Sequence, residues 1–175
     1  MLWSSLVVVL LLGTGDLDAA ERALAAGKAE EALALLGDLA DGNDAPGRAL
    51  KVLGRAHLAL TQYESAVDPL LRASDSFPKD TGLARDAATA CYLAAVSGGG
   101  MSARAYLEDA RRLAERAASP LLTGKILLAL RDYEGALPHF RKASESGADR
   151  LEALAGRADC LRELGREGDA KKAFR

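Results

Sequence analysis

Three cations in this chain stand close enough along one segment to act together. Arg48, Lys51 and Arg55 recur at intervals of three and four residues, so a helix places them on one face, beside Leu58. Ammonium and guanidinium groups in such a row bind carboxylates, and an arginine does so through two parallel N–H···O bonds. The rest of the reactive inventory is thin. There are two histidines, His57 and His139, and two cysteines, Cys91 and Cys160. No His-Glu-x-x-His pair occurs, and the cysteines have neither metal-ligand spacing nor the number of a disulfide framework. Gly98-Gly99-Gly100 is not followed by the Lys-Ser/Thr of a phosphate-binding loop. These residues supply no catalytic, metal or cofactor constellation, so a non-catalytic role is expected, with no cofactor.

The elements that carry the cations follow from composition. Of 175 residues, 49% are apolar and only 5% aromatic, which suits helices packed through small residues better than a β-rich fold. Net charge is −2, too weak to steer the whole chain to nucleic acid. The charge is uneven. Residues 16–100 hold 13 acidic and 8 basic side chains, whereas 101–175 hold 12 acidic and 15 basic. Two solvated faces of differing composition, or a polarised surface that orients a partner, both account for this.

The chain repeats itself. Ala32, Ala66, Ala103, Ala136 and Ala170 are separated by 34, 37, 33 and 34 residues. Four residues after each stands Leu36, Leu70, Leu107, Phe140 or Phe174. Five residues before each is a turn candidate: Gly27, Thr61, Gly98, Arg131 and Gly165. Small pairs precede the turns, among them Leu53-Gly54, Thr123-Gly124 and Arg157-Ala158. Apolar residues at intervals of three and four make one stripe on each helix, and one helix pair cannot bury its own stripe. The pattern predicts helices near 16–26, 29–41, 47–60, 63–76, 81–96, 101–118, 120–130, 133–146, 150–164 and 167–175. Asn43–Pro46 and Phe77–Asp80 are read as loops, and Ser97–Gly100 as the loosest turn. Pro69 and Pro138 fall inside predicted second helices, where a kink or a late helix start is expected. His57 is expected in the core, His139 at the periphery. Cys91 and Cys160, two repeats apart, are expected as buried free thiols.

A 34-residue unit with Leu53-Gly54, Tyr63, Ala66, Leu70, Ala73 and Pro78 resembles a tetratricopeptide repeat (TPR). Ala117–Arg150 matches next best, through Thr123-Gly124, Tyr133, Ala136, Phe140 and Ala143. The resemblance covers repeats at about 13–46, 47–80, 81–118, 117–150 and 151–175, the last stopping inside its second helix. It implies an all-α fold, a right-handed α-solenoid of antiparallel helix pairs in a TPR-like superhelix over residues 16–175. It also implies that first helices line the concave surface. Arg48, Lys51, Arg55 and Leu58 would then be joined there by Arg85 and Tyr92, and by Lys125 and Leu128. Such a face is either a solvated basic surface or a groove for an acidic protein or peptide partner. The asparagines of the carboxylate-clamping TPR domains are absent.

Residues 1–15 carry no charged side chain, and Leu6–Leu12 is an unbroken apolar run. The stretch Leu2–Leu12 would span about 16 Å as helix, against about 30 Å for a bilayer core. It reads as a cleavable signal peptide with small residues at Gly13-Thr14-Gly15, as an apolar capping helix, or as a retained membrane anchor. The expected function is a non-catalytic protein-interaction scaffold in the bacterial envelope or periplasm. The alternatives are a cytoplasmic TPR adaptor and an accessory subunit of an enzyme or secretion machine. The fifth repeat carries no capping helix, which predicts self-association or docking at Phe174, or a longer parent chain.

Overall fold

The computed structural model describes residues 17–98, 102–145, 147 and 149–173. Among them the regular elements are all helical. In order they are α1 (17–25), α2 (Ala29–Leu36), α3 (Gly47–Ala59), α4 (Tyr63–Ser76), α5 (Thr81–Val96), α6 (Ala103–Arg116), α7 (Pro120–Ala129), α8 (Tyr133–Glu145), α9 (Arg150–Glu163) and α10 (Glu167–Lys172). Each sequence repeat becomes two consecutive helices. The chain forms two compact units, Met1–Ala90 and Cys91–Arg175, which divide inside α5 and not at the glycine turn.

In the first unit, the α1–α2 stripe is completed by the next repeat. Leu17, Ala20, Ala23, Ala32, Leu36 and Ala40 form one cluster with Ala49 and Val52 of α3. Within the second repeat, α4 lies so close to α3 that a Cβ on Gly54 would stand 2.4 Å from Leu70 Cγ. Glycine is required there because any side chain would displace Leu70, which is fully buried. The second unit uses the same device twice. The Phe140 ring lies between Gly124 of its own repeat and Gly156 of the next, where added Cβ atoms would come within 2.9 Å and 2.5 Å of it. Phe140 also joins Leu127, Ala136, Ala143, Ala153 and Cys160 in one buried cluster. Full burial of each such large side chain is worth about 1.5–3 kcal/mol.

All five predicted turn residues have positive φ: Gly27 (76°), Thr61 (59°), Gly98 (122°), Arg131 (63°) and Gly165 (71°). The hydrogen bonds explain why. The Gln62 N–H donates to His57 O at 2.9 Å and the Thr61 N–H to Leu58 O at 3.0 Å. Asp132 to Leu127 and Arg131 to Leu128 repeat the arrangement at 2.9 and 3.0 Å. The same pair recurs at Gly27–Lys28 and Gly165–Arg166, and in these four first helices it satisfies the last carbonyls only if the intervening residue is left-handed.

Several details depart from expectation. No late helix start occurs at the prolines, since α4 and α8 run through Pro69 and Pro138 from Tyr63 and Tyr133. The carbonyls left without a donor belong to Ser65 and Glu134, both exposed, so water can satisfy them. Helix α2 is shorter than its predicted 29–41: Gly37, at φ 46°, converts its end into a 3-10 turn over Gly37–Ala40. His57 is half-exposed rather than in the core, because it lies at the end of α3; its Nδ1 is 2.7 Å from Gln62 Oε1. Ala103 is also half-buried, at the first position of α6. The loop before α3 is held by Arg72, which donates to Gly42 O at 2.7 Å and Asn43 O at 3.0 Å. The apolar stretch 1–15 and Phe174, with the export, anchoring and docking expectations placed on them, lie outside the described residues.

The Phe140 clamp makes a direct test. Gly156→Ala is expected to cost about 1–3 kcal/mol through overpacking. Gly168→Ala, where a Cβ meets nothing within 4 Å, is expected to be neutral or stabilising. Urea unfolding of the two variants measures the contrast; equal stabilities would refute the clamp.

Candidate functional site

The first-helix residues singled out by sequence fall in both units. Arg48, Lys51, Arg55 and Leu58 lie on α3, and Arg85 on the part of α5 in the first unit. Tyr92, Lys125 and Leu128 belong to the second unit. The spacing argument for α3 holds, but the three cations are not bare. Arg48 reaches back to α1, donating to Glu21 through Nε and Nη2 at 3.2 and 2.9 Å and to Asp18 at 3.0 Å. Lys51 and Arg55 reach forward: Lys51 Nζ lies 2.7 Å from Asp80 Oδ2, and Arg55 Nε 2.6 Å from Asp86 Oδ2. In the second unit Lys125 pairs with Glu152 of α9.

Every one of these partners lies 27 to 31 residues away, just under one repeat. The pairs are therefore rungs between the first helix of one repeat and the start or first helix of its neighbour. They neutralise the row that sequence reading took for a basic face. The partners Asp18, Glu21, Asp80, Asp86 and Glu152 were missed. The available signal was the recurrence of an acid slightly less than one period from each cation. Arg85 differs: it is exposed and has no carboxylate partner among the described residues. Leu58, Tyr92 and Leu128 are half-buried, and Leu128 packs against the Phe140 cluster.

Asp80 does two things at once. Its Oδ1 accepts the Leu83 N–H at 2.9 Å and so caps α5, while Oδ2 takes Lys51. The Lys51 hydrogen bond, and then the Leu83 N–H, hold its carboxyl below the usual aspartate range. Cys91 and Cys160 are fully buried free thiols, as expected. Burial, and to a lesser degree Asp109, pushes the Cys91 thiol up to about 12; burial, and then Asp159, pushes Cys160 up to about 11. Neither is a thiolate nucleophile near neutral pH. Among the described residues no group of three or more His, Cys, Asp or Glu side chains is placed to hold a metal ion. No described helix is long and apolar enough to cross a membrane.

No family model matches the sequence, and no curated protein matches it. Solved structures do. A thermophilic TPR protein of Thermus thermophilus superposes with a TM-score of 0.59 at 19% identity, over 93% of this chain and 88% of that one. The chain has the TPR fold. The structure of MamA from strain AMB-1 gives a TM-score of 0.72 at 18% identity, over 94% of this chain and 95% of MamA. MamA from strain MSR-1 gives 0.69 at 16%, over 94% and 91%. At such identities the likeness carries the architecture, and the rungs described above are read from this chain alone.

Asp80 yields a pH prediction. Its folded pKa lies below its unfolded one, so its stabilising contribution is complete above the unfolded value. That contribution is lost as pH falls through the folded value. Asp80→Asn keeps an acceptor for Leu83 N–H but not the charge. The melting-temperature gap between the protein and this variant is expected to hold near neutrality and close in acid. A gap independent of pH would contradict the assignment.

Proposed function

We propose that the chain is a non-catalytic interaction module that holds a protein or peptide on the first-helix faces of its TPR units. The observation that supports this most strongly is the TPR fold over more than nine-tenths of the chain. On the face itself, the half-exposed rungs link α1, α3 and the start of α5. Arg85 and Leu58 remain to meet a partner in the first unit, and Tyr92 in the second. A scaffold of this kind works by presenting a fixed surface, and the inter-repeat rungs serve that end.

Arg85→Glu and Leu58→Ala, made singly and together, are expected to weaken capture of the protein's partners from its native host while leaving the helical circular dichroism unchanged. Capture at wild-type levels by the double variant would overturn the reading of this face.

An envelope location is the second part of the proposal. Its support is the uncharged 1–15 stretch and the short Leu6–Leu12 run, which have the length and position of an export signal. Sequencing the N-terminus of protein purified from the native host is expected to find a mature start near Asp16. An intact Met1 in a cytoplasmic fraction would reject export.

A further inference from the structure

We propose that Asp80 and Asp86 are built-in ligands of Lys51 and Arg55, so that the first unit admits an acidic peptide to this row only when the peptide's carboxylates displace them. The inference rests on the first-helix face being the binding surface.

Four observations carry it. First, the row has the chemistry of a carboxylate site, and carboxylates already fill it: Lys51 holds one oxygen of Asp80 at 2.7 Å, and Arg55 one oxygen of Asp86 at 2.6 Å. Second, both pairs are open to solvent. The Lys51 and Arg55 side chains are 28% and 38% exposed, their acids 33% and 30%. Solvent-accessible pairs of this kind shift an equilibrium by about fivefold at most, so an incoming carboxylate can compete with each. Third, releasing Lys51 does not undo the fold. Asp80 caps α5 through its other oxygen, by way of the Leu83 N–H at 2.9 Å. Fourth, the other two cations differ. Arg48 donates three hydrogen bonds to two acids of α1, so freeing it means displacing two carboxylates at once. Arg85, next in sequence to Asp86, is exposed without a carboxylate partner among the described residues and attracts an acidic chain first.

The test uses the full chain and a fluorescein-labelled peptide of six glutamates, followed by anisotropy at low salt. Asp80→Asn/Asp86→Asn keeps the α5 cap, since asparagine caps as well as aspartate. It is expected to bind the peptide about tenfold more tightly than the unaltered protein, a few-fold from each freed cation. The single Asp86→Asn, which leaves the cap residue untouched, is expected to show a smaller gain in the same direction. Adding Lys51→Met and Arg55→Met should abolish the gain. Glu64→Gln/Asp75→Asn, which removes two negative charges from α4, should give none. Equal affinity of the unaltered protein and both aspartate variants would overturn the proposal. So would a gain that survives loss of Lys51 and Arg55, or one matched by the α4 control. If Arg85→Glu/Leu58→Ala still weakens partner capture, only the displacement idea falls; if that variant captures normally, the face itself was misread.

Discussion

The close approach of helices through glycine is the constraint on which the rest of this structure depends. Leu70 can be fully buried only because residue 54 has no side chain, and Phe140 only because residues 124 and 156 have none. At Gly156 the contact crosses from one repeat to the next. Phe140 therefore closes its own helix pair and also seats α9. Interiors are packed too densely for such a position to tolerate even one methyl group without movement elsewhere. That makes the spacing between these helices a fixed quantity, and the polar contacts are built on it.

The rungs between first helices follow from that spacing. Once the helices are seated, Arg48 falls opposite Asp18 and Glu21, and Lys51 and Arg55 fall opposite Asp80 and Asp86. Each exposed pair contributes little by itself, of order 0–1 kcal/mol. Their consequence lies in what the face offers a partner. A row that would attract any acidic chain becomes neutral, and under the proposed reading discrimination rests on Arg85 and the half-buried Leu58. The same carboxylate at Asp80 that neutralises Lys51 also starts α5, so the surface chemistry is tied to the backbone.

Much of the architecture was legible along the chain. The five turn residues were located by spacing alone, and all five are left-handed, including Thr61 and Arg131, which composition would never mark as such. Spacing succeeds because the turn is part of the repeat: at Gly27, Thr61, Arg131 and Gly165 two hydrogen bonds at the end of the first helix demand that backbone geometry whatever residue stands there. The reading failed where position along a helix mattered more than face. His57 is on the apolar stripe by count but lies at the end of α3, so it is only half-covered. Gly156 was passed over in favour of Arg157-Ala158, since the signal sought was contact within a repeat and Gly156 serves contact between repeats.

What the sequence determined by itself is local: helix, turn, stripe and period, all set by interactions within a few residues or by the need of each stripe for a neighbour. The identity of Arg48, Lys51 and Arg55 as one face belongs to this class. Whether that face is charged does not. It is decided by carboxylates 27 to 31 residues away, whose positions depend on how far each helix is rotated and shifted against the next. That rotation is set by core packing, between the first two repeats through the cluster that joins Leu17 and Leu36 to Ala49 and Val52, and it exists only in the folded molecule.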